Sequence, residues 1–325
     1  MPAEHPAKSF ALVADIGGTN TRVALAEGTQ LLPRTVTRYR NADHGGLEDV
    51  LKLFLAEQGG VDCQGACVAV AGPVRDGVGA LTNLDWRMDH PTLARATGAK
   101  KVSILNDLQA QGHGLGGIPD DKMRRIFNGG ATGPTAAQLV VGVGTGFNIA
   151  AVYDTAGGRL VTPSEAGHST MPVRNAQDLR LSQFVEGFHG APGVEDVLSG
   201  RGLERIYRWV SKEAGDDKQR TAAEIMAACA DASDPRARQA AEVFVRLLGG
   251  VVGNLALIHL PFGGIYLVGG VARAFVPYLE QFQFRHWFCD KGRFAEFMGN
   301  FSVSVIEDDY AALIGCANHL AAQID

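Results

Sequence analysis

Two stretches constrain the fold more than any others. Near the start, "VADIGGTNTRVAL" (residues 13–25) runs from an apolar segment through a carboxylate and a Gly/Thr turn into a second apolar segment. Past the middle, "VVGVGTGFNIAAV" (residues 140–152) repeats the scheme: apolar run, Gly/Thr turn, small polar residue, apolar run. Each reads as a hairpin of two buried strands, and the pair points to an internal duplication of one device. Around them, strand-like and helix-like segments alternate, which makes the chain an α/β protein. "GGLEDVLKLFLAEQGG" has Leu47, Val50, Leu51, Phe54 and Leu55 at helical spacing and ends in two glycines, a helix with its stop. "GACVAVAGPV", "KVSILND" and "GGIYLVGGVAR" are short apolar runs bounded by turn residues, expected as buried strands, and "YAALIGCANHLAAQ" is a final helix. At 325 residues, 46% of them hydrophobic, the chain has material for two domains or lobes.

What the glycine turns do is the next question. Glycine lets a backbone come close to a ligand and aim several N–H groups at it, and threonine adds a hydroxyl. Such a turn suits phosphate oxygens, although a plain tight hairpin also uses glycine. The standard nucleotide motifs do not account for these two. There is no G-x-x-x-x-G-K-S/T. A G-x-G-x-x-G at Gly112, Gly114 and Gly117 has no acidic residue at the distance a ribose would need, and reads as helix-end and loop glycines.

Composition narrows the classes further. A net charge of −5 argues for a small-molecule ligand over nucleic acid. Five scattered cysteines are expected as free thiols in a reducing compartment, and Cys63 and Cys67 lack the companions of a zinc site. "VFVRLLGGVVGNLALIHLP" is interrupted by Arg246, glycines and Asn254 and is expected as a buried helix, with no membrane partner. The N-terminus shows no signal pattern, so a cytoplasmic protein is expected.

Six motifs in order then carry a resemblance. "ADIGGTNTRVAL" resembles the first phosphate motif of the sugar-kinase, Hsp70 and actin superfamily, "GVGTGFNIA" the second, and "GGIYLVGGVAR" the adenosine motif. "LTNLDW", "ILNDLQAQGHGL" and "PSEAGHSTMP", the last followed by "VEDVLSGRGLERIY", are similar to the bacterial-type glucokinases, over about residues 10–320. The resemblance implies a two-lobed actin-like ATPase (ribonuclease H-like) fold with a cleft between lobes. It divides the chain into a small domain of residues 1–108, completed by residues 305–325, and a large domain of residues 109–304. It implies ATP-dependent phosphorylation of glucose at O6, the first step of glycolysis, with Mg²⁺, by a homodimer.

The resemblance also assigns roles. Asp107 would be the base that accepts the O6 proton; from spacing alone it reads rather as a cap of the following helix. An unperturbed Asp is a weak base, so it would act mainly by orienting the hydroxyl. Asn106, Glu165, His168 and Glu195 would hold the sugar hydroxyls, with Asn83 lining the cleft; Glu165 and His168 alone would read as a surface pair, and Asp196 is the bland neighbour of Glu195. Asp15 would reach Mg²⁺ through water. Gly17, Gly18, Thr19 and Asn20 would face phosphate, Gly144, Thr145 and Gly146 would clamp it from the second turn, and Gly269 and Gly270 would sit against the adenosine. Arg22 is either cleft-facing or a strand-surface residue.

Two departures stand out: E-A-G-H where the family usually has E-G-G-H, placing Ala166 at a glycine, and G-T-G-F-N, placing Asn148 where the bacterial type more often has glycine. The cysteine cluster of the related ROK proteins is absent, so no zinc is expected. The competing readings are a kinase for mannose, fructose or an amino sugar, a non-catalytic sugar sensor, and an ATPase of chaperone or filament type. A sensor that binds DNA is disfavoured by the short segment before the first strand.

Overall fold

The computed structural model describes residues 10–81 and 86–324. The chain forms two compact units. The first runs to Pro119 and takes in Gly157–Val161 and the segment from Asp308 onward; the second comprises Asp120–Ala156 and Thr162–Glu307.

The first unit is organised by β1 (Phe10–Ile16), β2 (Asn20–Glu27), β3 (Cys63–Val70) and β4 (Lys101–Asn106). β1 pairs antiparallel with β2 and parallel with β3, and β3 runs parallel to β4. Successive side chains of a strand point to opposite faces. Leu12, Ala14 and Ile16 therefore pack with α1 (Leu47–Glu57), whose Leu47, Val50, Leu51 and Phe54 are buried. Ala11 and Val13 lie on the other face with Leu313, Cys316, Ala317 and Leu320 of the last helix. The helical spacing in "LEDVLKLFLAE" is thus realised, and its stop is real: Gly59 and Gly60 both have positive φ, and Gly60 donates its N–H to the Leu55 carbonyl.

The second unit repeats the plan with β5 (Gln138–Val143), β6 (Phe147–Thr155), β7 (Ile265–Val268) and β8 (Val303–Ile306). β5 is antiparallel to β6 and parallel to β7, and β7 is parallel to β8. The duplication read from two hairpins extends to four strands with the same order and directions. The hairpins differ in one respect. Ile16 pairs with Thr21 across a four-residue turn, whereas Val143 pairs with Phe147 across three residues. The helix Pro235–His259 is long and apolar enough to cross a membrane by length and composition. Its Ala240, Phe244, Leu248, Val252 and Ala256 are fully buried in the core of this unit, as expected from its sequence.

The strand-to-helix junction at Asn106 is fixed from behind by glycines. The Asp107–Gly114 helix, α2, crosses α3 (Ala311–Ile324) at backbone contact. A Cβ on Gly315 would lie 1.7 Å from the Ala110 carbonyl oxygen, and one on Gly114 would lie 2.5 Å from that of Ala311. Gly114, one of the glycines of the G-x-G-x-x-G, thus serves helix packing. The short segment Gly157–Val161 braces the same helix: the Arg159 guanidinium donates to the carbonyls of Gly112 and Leu115, and the Gln109 amide donates to the Val161 carbonyl at 3.0 Å.

Candidate active site

In the first unit, Asp15 is the penultimate residue of β1, on the face shared by Ala11 and Val13. Its register partner across the hairpin is Arg22, whose guanidinium stands 3.4 Å from the Asp15 carboxylate. Arg22 is therefore an ion-pair partner to Asp15, with its side chain about one-third exposed at 34%. Burial raises the Asp15 pKa, and Arg22 opposes the shift.

The turn after Asp15 is held from beneath by a residue the sequence did not single out. Asn41 is buried; its amide donates to the Gly17 carbonyl at 2.8 Å and accepts from the Thr21 hydroxyl at 2.8 Å, and its backbone N–H donates to the Thr19 carbonyl at 2.9 Å. A buried amide with such partners is satisfied and rigid. Gly18 and Thr19, by contrast, are exposed. Gly17 does not have positive φ, and a Cβ there would make only ordinary contact at 3.4 Å with the Asn20 carbonyl. Internal sterics do not demand glycine at this point. Open backbone is what its absence of side chain provides, and that fits the close approach of a phosphate.

At the end of β4 the work divides between neighbours. Asn106 is the N-cap of α2: its side chain accepts from the Leu108 N–H at 3.0 Å, while Gln109 closes a capping box on the Asn106 N–H at 3.2 Å. The Asn106 amide also donates to the Gly72 carbonyl at 3.1 Å. Capping by Asp107, the alternative open at the level of sequence, is therefore performed by Asn106. Asp107 occupies the first position of the helix, with one oxygen accepting from the Leu108 N–H at 2.9 Å. Burial and the nearby charge of Asp15 push its pKa up to about 6; the hydrogen bonds from Leu108 and Asn106 only partly offset this. A carboxyl near 6 is a much better base at neutral pH than an ordinary Asp. Asn83 lies outside the described residues.

In the second unit, the turn Gly144–Gly146 is closed by a bond from the Gly144 N–H to the Gly146 carbonyl at 2.9 Å. A Cβ on Gly144 would meet nothing within 4 Å, so here too internal packing does not require glycine. Two helix starts converge on this turn. Gly200, first residue of the helix Gly200–Glu213, donates to the Gly144 carbonyl at 2.9 Å. Gly269, with φ 104°, precedes the helix Gly270–Gln281 and runs so close that a Cβ would lie 2.5 Å from the Val143 carbonyl. No side chain caps that helix, leaving its first N–H groups open, the arrangement that accepts anions.

Of the residues assigned to the sugar, Glu165, His168 and Glu195 belong to this unit. The Phe147 N–H donates to the Glu195 carboxylate at 2.9 Å, and a Cβ on Gly146 would lie 2.5 Å from that carboxylate, so Gly146 makes room for it. Glu195 and His168 line one cavity of about 470 Å³ together with His189, Arg201 and Arg205. Asp196, the neighbour of Glu195, is scaffold: it accepts from Arg205 at 2.5 Å and from the Gly193 N–H at 2.9 Å, and lies 2.9 Å from His189. Glu165 opens the short helical turn Ala166–His168.

Both departures are resolved locally. Ala166 is not among the residues with positive φ, so alanine is tolerated without strain. Asn148 ties β6 to the turn: its amide donates to the Ser164 carbonyl and, at 3.2 Å, to Glu165, and its oxygen accepts from the Ala166 N–H at 3.0 Å. A glycine could make none of these side-chain bonds. The strand-pair position of Asn148 opposite Gly142 corresponds to that of Arg22 opposite Asp15.

A family model described as Glucokinase matches residues 12–323. A glucokinase of Mesorhizobium japonicum is 33% identical over 307 residues, which cover 94% of this chain and 90% of that protein. Among solved structures, a glucokinase from an Antarctic psychrotroph superposes with a TM-score of 0.85 at 27% identity, over 96% of this chain and 98% of that one. A glucokinase from Balamuthia mandrillaris in complex with glucose gives 0.81 at 25%, over 96% and 93%.

Proposed function

The chain belongs to the glucokinase family, and on that premise we propose that Asp107 is the base through which it transfers the γ-phosphoryl group of ATP to O6 of glucose. The observation that carries this assignment is the Asp107 carboxyl itself. It is relieved of capping by Asn106, raised to about 6 by burial and by Asp15, and presented at the end of a parallel strand, where ligands of α/β sheets bind.

Glu165, His168 and Glu195 hold the sugar by its hydroxyls, with Asn106 and Asn83 assisting. As O6 bonds to the γ-phosphorus, its proton passes to the Asp107 carboxylate, the bond between the γ-phosphorus and the bridging oxygen breaks, and ADP leaves. Gly17, Gly18, Thr19 and Asn20 receive the phosphates on one turn, and Gly144, Thr145 and Gly146 on the other, with Gly269 and Gly270 against the nucleoside. Asp15 is the carboxylate suited to hold Mg²⁺ through water, and that ion, when bound, supplies charge neutralisation on the phosphates. A homodimer in the cytoplasm, working without zinc, completes the reading.

The test is glucose 6-phosphate formation from ATP, Mg²⁺ and glucose, run beside Asp107→Ala. Turnover by the wild type and a loss of about 10²–10⁴-fold in the variant are expected. Wild-type binding of glucose without turnover, or undiminished turnover in the variant, would overturn the assignment.

A further inference from the structure

The second unit holds another cavity, of about 180 Å³, which none of the residues assigned to the active site lines. One stripe of the helix Pro235–His259 forms its floor, and the walls come from residues 172–178 and 287–291. Three cations and two carboxylates face it, leaving one positive charge in excess. Two of the cations are matched: Arg246 stands 2.6 Å from the buried Asp178, and Arg174 stands 2.6 Å from Asp290. Lys291 is not. Its ammonium donates to the Gly250 carbonyl at 2.9 Å, and among the described residues no carboxylate lies within 4 Å of it. It is partly buried; burial and then the charge of Arg174 lower its pKa, and the more distant charge of Asp290 only partly opposes them. A partly buried cation with no ion pair of its own is under-compensated, and an anion arriving there would gain charge-assisted hydrogen bonds. Trp287 supplies a flat apolar wall beside it. The space equals roughly six water volumes, which suits a skeleton of three or four carbons.

We propose that this cavity binds a small organic anion, a three- or four-carbon molecule bearing a carboxylate or phosphate, with its charged head on Lys291 and Arg174 and its carbons against Trp287.

The full chain, at constant ionic strength, is titrated with glycerol 3-phosphate and, separately, with D-glycerate, which share a three-carbon skeleton and differ in the charged head. Tryptophan fluorescence is the readout, since Trp287 lines the cavity while Trp86 and Trp209 are buried elsewhere. A saturable change with at least one compound is expected, and the tighter of the two identifies the preferred head. The change should vanish in Trp287→Phe, weaken about tenfold or more in Lys291→Gln, and return in Lys291→Arg. Melting curves without ligand verify that Lys291→Gln is folded, and Arg174→Gln gives the same test if it is not. No saturable change with either compound up to about 20 mM, or a change that Lys291→Gln and Arg174→Gln leave unaltered, overturns the proposal.

Discussion

The carboxyl proposed to perform the chemistry should be a liability to the fold. Asp107 is raised from its ordinary value of 3.8 to about 6, mainly by burial and then by Asp15. Because the folded-state pKa exceeds the unfolded one, the folded chain holds this proton more tightly. The associated stability is fully present below about 3.8 and is lost as pH rises through about 6. A gap of about two units corresponds to about 3 kcal/mol at neutral pH. Asp107→Asn removes the charge and keeps an oxygen that can accept from the Leu108 N–H. The variant should therefore be more stable than wild type by about 3 kcal/mol at pH 7.5, shrinking to about 1 kcal/mol at pH 4.5, while turnover falls by about 10²-fold or more. Urea unfolding of both proteins at the two pH values measures the gap. A variant no more stable than wild type at pH 7.5, or a gap that does not change with pH, would refute the electrostatic account of the site.

Other outcomes follow from the same geometry. The kcat/KM for glucose should fall about tenfold per pH unit below about 6, and Asp15→Asn, by removing a like charge, should move that limb to lower pH; pH–rate profiles of both proteins check this. Asn41→Ala leaves the Gly17 carbonyl and Thr21 hydroxyl without their partner, and should cost about 1–3 kcal/mol in urea unfolding while raising the KM for ATP more than that for glucose. Gly315→Val drives a side chain into the Ala110 carbonyl and should destabilise by about 3 kcal/mol or more, with wild-type unfolding behaviour as the contrary result.

What was legible in the sequence was whatever repeats or sits next to itself. The two glycine turns, the helix with its double-glycine stop and the buried helix around Arg246 are local patterns, and local patterns survive without coordinates. The four-strand duplication was visible only at its hairpins, because β3, β4, β7 and β8 are short apolar runs that carry no register. Asn41 was not visible, since its link to Gly17 spans 24 residues and an isolated asparagine in a loop announces nothing. Asn148 showed as a departure, but its role as a tie to Ser164 and Ala166 required knowing that β6 passes that segment. The strength of Asp107 as a base was out of reach for a similar reason. It depends on burial and on the proximity of a carboxylate 92 positions earlier, and spacing alone left only the weak base of an ordinary Asp.

The crossing of α2 and α3 has a consequence for synthesis. The second unit draws on residues 120–307 alone, apart from the excursion at 157–161, so a ribosome delivers it whole. The first unit is started earlier but needs the segment from Asp308 onward to cover one face of its sheet and to brace the helix that begins at Asp107. During translation the later-started unit can therefore finish folding first, while the sheet bearing Asp15 waits with Val13, Ala24 and Cys67 uncovered. Release of a nascent chain stalled before residue 308 would yield one folded half and one sticky half, a natural client for a holdase.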